Sequence, residues 1–428
     1  MLIRPPRALL AEVDDPDGRL APRPDRSDDE AVLELGLVPL DLGRIGGEQR
    51  RADRERDDHW ASHDALFRGA RLANVPFRCS IPAAAVTTDE YETWFERGVT
   101  DGLPVVPPTR ERVARMLAGT RRSAGDLLGE MPPNYGRVTV DKAAINAVMA
   151  GCRPEYLPVL IAAAEAACDP AFNLHGVATS THFSAPLVVV NGPARTRIGL
   201  NAGFGVFGLG YRANATIGRA LRLLMINVGG ARPDEISMSS FGHPGRYTYC
   251  IAEHEEASPW PPYHVEGGHA LESSTVTLFA GEAPHGISDH ASRTARQLAG
   301  SIGWSMAGLW NSKHFPLYSH TMLVVGPEHA RTFADDGWSK ADLRRVLHET
   351  IRRPYRELLP DDDHGEGTNL RYGRTPTAPD ALVPKFPSVK EIHVVVAGGT
   401  AGRFSVAIPG WLGTKNGSRP VTRIIEFG

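Results

Sequence analysis

Pro186-Leu-Val-Val-Val-Asn191 is the stretch whose reading decides the fold. It is almost wholly apolar and rich in β-branched residues, so it reads as a strand covered on both faces, hence a central one. Working outward, Val177 to Thr181 reads as a second strand. Before it come two Ala-rich helices, Thr139 to Ala150 and about Pro154 to Cys168, separated by Gly151-Cys152 and closed by Asp169-Pro170. After it, a helix is expected from about Ala215 to Val228, strands at Thr275 to Phe279 and Thr321 to Val325, and a helix from Ser288 to Met306 between those two. Pro327 and Ser339 open two further helices, the second with capping-box spacing to Asp342. Ile392 to Ala397 is a buried strand, Gly398 to Gly402 a turn, and Val421 to Phe427 the last strand. Alternating helices and strands define an α/β class, a layered mixed sheet flanked by helices. No internal repeat is visible in the sequence.

The body begins near Thr87, where Thr87 and Glu90 have capping spacing before a short helix at Tyr91 to Arg97. Thr100 to Thr109 is extended and stiffened by proline, and a helix follows at about Arg110 to Ala118. Residues 1–85 differ in kind. The run Glu48-Gln-Arg-Arg-Ala-Asp-Arg-Glu-Arg-Asp-Asp58 is nearly all charge, and such a segment buries too little apolar surface to offset its ordering entropy. We therefore expect an irregular arm over 1–85, partly disordered or contacting an oligomer partner. A single large α/β body spans 86–428, with 285–320 the place where subdomains would divide.

The chain has 428 residues, 42% of them hydrophobic and 23% charged, with a formal net charge of −3. These values are ordinary for a soluble globular protein and give no reason to expect nucleic acid or an anionic membrane as partner. The longest apolar run, Leu157 to Ala167, is too short to cross a bilayer, and Met1-Leu-Ile-Arg-Pro-Pro lacks the apolar core of a secretory signal. A cytoplasmic homo-oligomer acting on a small molecule is the expectation. None of the four cysteines, Cys79, Cys152, Cys168 and Cys250, forms a C-x-x-C pair.

Chemistry-bearing residues concentrate between Gly199 and Trp260. Gly203-Phe-Gly205-Val-Phe-Gly208 spells G-x-G-x-x-G, but its nearest strand ends about a dozen residues too early for a dinucleotide fingerprint. The alternative is a loop leading to an anion-holding helix start, with Gly205, Gly208, Arg212, Asn214 and His243 as substrate contacts. Beyond it lies Tyr247-Thr-Tyr-Cys-Ile-Ala-Glu-His-Glu-Glu256. If helical, this segment sets Cys250 four residues from His254 on one face, with Glu253 beside them, and a thiolate nucleophile becomes available. If it is a strand, Cys250 and His254 stand about 13 Å apart. Cys152, at the corner between two helices and next to Arg153, is a second candidate thiol. A metal, if one is bound, would draw on His254, Glu253 and Glu255. The sequence names no cofactor.

Five segments carry a family resemblance: Glu96 to Thr109, Ala144 to Pro158, Arg212 to Ala220, Ala252-Glu-His-Glu-Glu256 with Ser258-Pro-Trp260, and Asp336-Gly-Trp-Ser-Lys340. Together they resemble the long region of bacterial UGSC-family (seleno)proteins, from about Thr87 onward. The resemblance implies thiol or selenol chemistry in those relatives. Their upstream Gly-Ser-Cys segment has no counterpart here beyond Arg78-Cys79-Ser80. The expectation is thus an enzyme, a cysteine-dependent oxidoreductase or lyase, acting on a small anionic molecule. Cys250 or Cys152 would be its thiol, His254 the acid/base and Glu253 the orienting carboxylate. The alternatives are a metal-dependent lyase or hydrolase and a non-catalytic binding subunit of a two-component enzyme.

Overall fold

The apolar run on which the reading turned forms a strand, Ala185–Asn191, buried at every position. The computed structural model describes residues 89–309, 320–358, 378–412 and 417–427. The expectations for the arm, for Cys79 and for Thr87 lie outside them. In chain order the strands are β1 (Leu127–Met131), β2 (Gly136–Thr139), β3 (Ala185–Asn191), β4 (Cys250–Ala252), β5 (Thr275–Gly281) and β6 (His285–Ser288). Then follow β7 (Thr321–Val325), β8 (Arg352–Pro354), β9 (Leu382–Pro384), β10 (Ile392–Val396), β11 (Phe404–Pro409) and β12 (Val421–Ile424). Two four-stranded mixed sheets, ordered β12-β5-β3-β4 and β10-β7-β11-β6, form the α/β body, and β1-β2 and β8-β9 are small antiparallel pairs.

Side-chain alternation along the strands sorts the residues into layers. Val188, Val190, Cys250, Ala252, Val276 and Leu278 point from the first sheet to the helices Val140–Ala150, Leu157–Cys168 and Arg212–Asn227. Leu323, Val325, Val394 and Val396 point from the second sheet to the helices Ala295–Gly308, Pro327–Asp335 and Lys340–Thr350. The alternate residues Leu187, Val189, Ile251 and Phe279 meet Met322, Val324, Val395 and Ile408 in a third core between the sheets. The order of layers is helix, sheet, sheet, helix. Gly218 lets its helix lie close over β4, since a Cβ there would stand 2.6 Å from the Tyr249 amide nitrogen.

Several expectations need correction. Val177 to Thr181 is no strand: Leu174–Thr179 is a helix capped by the Asn173 side chain, which accepts from the Gly176 N–H. Leu174, Val177 and Ala178 are its buried residues, and that is helical spacing. Ser288 ends β6 rather than opening a helix, which begins at Ala295 behind a Thr294–Gln297 capping box. The first described helix, Glu90–Glu96, takes its cap from Asp89. The Ser339–Asp342 capping box forms as read.

The sequence shows no repeat, but the strand pairing does. In the first sheet β3 lies parallel to β4 and antiparallel to β5, with β12 antiparallel on the far side of β5. In the second, β7 lies parallel to β10 and antiparallel to β11, with β6 antiparallel on the far side of β11. The registers agree residue for residue. Thr275↔Ile424 matches Phe404↔Ser288, and Leu278↔Val421 matches Ala407↔His285. The Glu253 N–H donates to the Val190 carbonyl as Ala397 donates to Val325, and Ile425 donates to Ser274 as Asp289 donates to Arg403. Equivalent residues meet where the halves join: Gly281 bridges Gly410, flanked by reciprocal bonds from Glu282 N–H to the Pro409 carbonyl and from Trp411 N–H to the Ala280 carbonyl. The halves divide between β6 and β7, and each lends its last strand to the other's sheet.

Candidate functional site

β4 ends at Ala252, and the chain turns through Glu253-His-Glu-Glu256 at the carboxyl ends of β3 and β4. Glu253 is fully buried. Its carboxylate accepts from the Asn191 side chain, from Tyr263 N–H at 2.7 Å and Val396 N–H at 3.3 Å, and from Lys340 Nζ at 3.4 Å. Lys340, itself buried, also pairs with Glu266. Glu255 accepts from Gly192 N–H and pairs with Arg195, which grips Glu256 through both terminal nitrogens. These partners tie the first sheet to the second and to the helix that begins at Lys340. His254 is not among Glu253's partners; its Nδ1 lies 3.4 Å from the Gly398 carbonyl. With their carboxylates taken up in this way, Glu253 and Glu255 are held as structural anchors.

The segment around Cys250 is a strand. Cys250 therefore faces the helices, packed in the outer core of the first sheet, and no hydrogen bond joins it to His254. Burial pushes its thiol pKa well up. Cys152 is also buried; its Sγ donates to the Thr216 carbonyl at 3.4 Å, and burial pushes its pKa up to about 12. Cys168 is likewise raised to about 12 by burial, with the neighbouring Glu165 and Glu130 adding to it. At neutral pH all three are thiols rather than thiolates.

Residues 199–211 form loop and turn, with Gly199, Gly205 and Gly210 at positive φ, and lead into the helix Arg212–Asn227. No strand ends at the first glycine of the G-x-G-x-x-G run. Arg212, exposed, donates through Nε to the Gly151 carbonyl. Asn214 is spent on the backbone, accepting from Asn201 N–H and donating to the Asn201 and Cys250 carbonyls. The helix start is thus occupied by the chain's own groups. Gly208, Asn214, His243 and Cys250 nevertheless converge on one cavity of about 370 Å³, floored by Thr248 and Tyr249.

His243 and Pro244 also line a larger neighbouring cleft of about 680 Å³. Its wall includes Arg222, ten residues along the helix from Arg212, and Arg246. Arg222 is only 7% exposed; its Nε donates to the Arg246 carbonyl and one terminal nitrogen faces the Met225 sulfur. Arg246 donates to the Ser184 carbonyl and the Ser237 hydroxyl. Neither guanidinium has a carboxylate partner among the described residues. Asp101, the acid whose charge reaches Arg222, is taken by Arg219 in a bidentate pair at 2.8 Å. Burial, then the charge of Arg246, push Arg222 down to about 9, against the pull of Asp101. It keeps its proton at neutral pH, so the cleft wall carries two undercompensated positive charges. His243 Nδ1 accepts from Gly245 N–H at 3.1 Å, which places the proton of the neutral ring on Nε2. Burial pushes its pKa down, opposed by the nearby Gly281 carbonyl.

Sequence reading singled out His243 but missed Arg222 and Arg246. The available signal was a lone arginine inside the apolar helical run Ala220-Leu-Arg-Leu-Leu-Met-Ile226. Metal-compatible spacing, too, lies elsewhere than expected. Among the described residues the group is His320, Glu391 and His393, not His254 with Glu253 and Glu255. No helix among the described residues is long and apolar enough to cross a membrane. No family model, curated protein or solved structure matches the chain.

Proposed function

We propose that the chain is an enzyme acting on a small anionic molecule held in the cleft walled by Arg222, Arg246 and His243. The observation that carries this reading is a buried guanidinium, Arg222, beside a half-buried one, Arg246, neither with a carboxylate partner among the described residues, at a cleft of ligand size. An isolated buried charge is costly, and a bound carboxylate or phosphate supplies the missing counter-charge through bidentate hydrogen bonds. His243, which lines both this cleft and the adjoining cavity, is the acid/base group of this site. Lyase chemistry, in which a proton moves to or from the substrate, accords with such a group. A thiol-dependent version would use Cys250, which lines the adjoining cavity. Burial of that thiol favours the arginine-centred version.

The test is thermal unfolding of the purified chain with a panel of mono- and dicarboxylates and phosphate esters. A ligand at about a hundred times its Kd stabilises by about 2.7 kcal/mol, a shift of several degrees. Arg246→Gln should abolish the shift while leaving a cooperative transition. If no anion of the panel stabilises the native chain, or if Arg246→Gln responds like it, the reading fails.

A further inference from the structure

We infer that His320, His393 and Glu391 form a binding site for a divalent cation of zinc type, set on the inner face of the second sheet. This site is separate from the arginine cleft and does not depend on the reading of that cleft. Three observations lead to it.

The first is placement. β10 pairs with β7 so that Ile392 lies opposite Thr321, which puts Glu391 across from His320. Glu391 closes the turn Val389–Glu391 that leads into β10, and His393 follows it by two residues. Met322 and Val324 on one strand and Val395 on the other belong to the core between the sheets, and His320 and His393 share their alternation. Two side chains at i and i+2 and a third on the adjacent strand make a triangle, and the ligating atoms of all three residues lie within 4.8 Å of one another. Tetrahedral zinc wants its ligand atoms about 3.3 Å apart, so side-chain adjustments of about an ångström close the site.

The second is the state of the ring nitrogens. His320 is fully buried, and neither of its nitrogens has a hydrogen-bond partner among the described residues; His393 Nε2 has none either. His393 Nδ1 lies 2.9 Å from the Tyr263 hydroxyl. That contact fixes the ring with Nε2 free to ligate, the outer support a metal-bound histidine receives. The two rings stand edge to face with 5.6 Å between centroids, both against Phe279, and Gly410 leaves the space that the His320 ring needs.

The third comes from the repeated pairing. His320 stands opposite Gly410 as Ala185 stands opposite Gly281, and Leu323↔Val394 corresponds to Val188↔Cys250, which makes Tyr249 the counterpart of His393. The first half builds the same scaffold with an alanine and a tyrosine whose hydroxyl donates to the Glu282 carbonyl. The scaffold therefore does not require imidazoles at these positions, and their presence in the second half calls for another cause. Two histidines and one carboxylate are a zinc donor set that leaves one position open.

The test uses the full chain, stripped by chelator and dialysed, then titrated with zinc(II) against a chromophoric competitor and, separately, with cobalt(II) read by visible absorption. About one equivalent should bind, with the intense visible bands of a four-coordinate site. His320→Gln, His393→Gln and Glu391→Gln should each weaken binding by at least about tenfold. His254→Gln should leave it unchanged, which separates this site from the Glu253 cluster. Glu391 is half-exposed, so its variant decides the matter if the buried histidine variants fail to fold. Failure of the native chain to bind zinc overturns the inference, and so does native-like binding by Glu391→Gln.

Discussion

Replacing Arg222 with methionine should make the ligand-free protein more stable and at the same time remove its response to anions. Arg222 is 7% exposed, and its pKa falls from 12.5 to about 9. At about 1.4 kcal/mol per tenfold, keeping the guanidinium charged in that setting costs about 5 kcal/mol. Methionine retains the apolar contacts of the arginine stem and carries no charge. Against this gain stands the lost bond from Nε to the Arg246 carbonyl, which leaves a buried acceptor at a cost of about 1–3 kcal/mol. The net expectation is stabilisation by about 2–4 kcal/mol, in the range found when buried charges give way to apolar side chains. Urea unfolding measures it as a raised midpoint at constant slope, and the slope shows whether the denatured state has changed. A functional site held at a cost to stability predicts the two effects together. An Arg222→Met protein less stable than the native by more than about 1 kcal/mol would refute the reasoning, because it would show that the charge is well solvated where it stands.

Glu253→Gln should destabilise by about 3–5 kcal/mol, since it strips Lys340 of a buried counter-charge and turns an acceptor of four bonds into a group that must also donate; a urea midpoint within about 1 kcal/mol of native contradicts the anchoring role. Asp289 is held down to about 2: burial would raise it, but the Ser292 amide and hydroxyl, the Ser301 hydroxyl and the Ala291 amide outweigh that. Its folded pKa lies below the unfolded one, so its contribution, about 1–2 kcal/mol after solvent screening, is present above pH 4 and lost as pH falls towards 2. The stability gap between the native chain and Asp289→Asn should therefore close over that interval, and a gap constant with pH would contradict it. In a Cys79→Ser background the three described thiols should resist iodoacetamide at pH 8 until the chain unfolds; rapid labelling of Cys250 in the folded protein would instead restore the thiolate reading.

What the sequence disclosed follows the range of the interactions involved. Local signals were legible. Ser339 with Asp342, Gly151 after the first Ala-rich helix and the largely apolar runs of β3, β7 and β10 carry their structure in adjacent residues. The short pieces were not. β6 and β8 carry arginine, histidine or glycine at exposed positions and owe their pairing to distant partners. Leu174–Thr179 was misread because its cap, Asn173, lies outside the apolar window that suggested a strand. At the site, Cys250 and Glu253 attracted attention as reactive types, but reactivity depends on surroundings, and theirs are an apolar core and a complete set of donors. Arg222 and Arg246 are 24 residues apart, and their lack of acidic partners rests on Arg219 occupying Asp101, a fact of tertiary packing.

The repeated pairing offers a way to separate residues that the fold needs from residues that it merely tolerates. Where both halves use the same kind of residue, as with the facing glycines Gly281 and Gly410, the position answers to backbone approach. Where they differ in chemistry at one scaffold position, packing alone cannot be the cause, because the other half packs without that chemistry. His320 against Ala185 is such a difference, and so is His393 against Tyr249. Glu253 against Ala397 is a third, and it resolves differently: the carboxylate is matched on all sides by donors from both halves, so the asymmetry serves assembly. Among the described residues the histidine rings have no hydrogen-bond partner beyond the Tyr263 hydroxyl. A buried polar group that departs from its counterpart and lacks partners points to something bound, whereas one that departs and is fully partnered points to the fold.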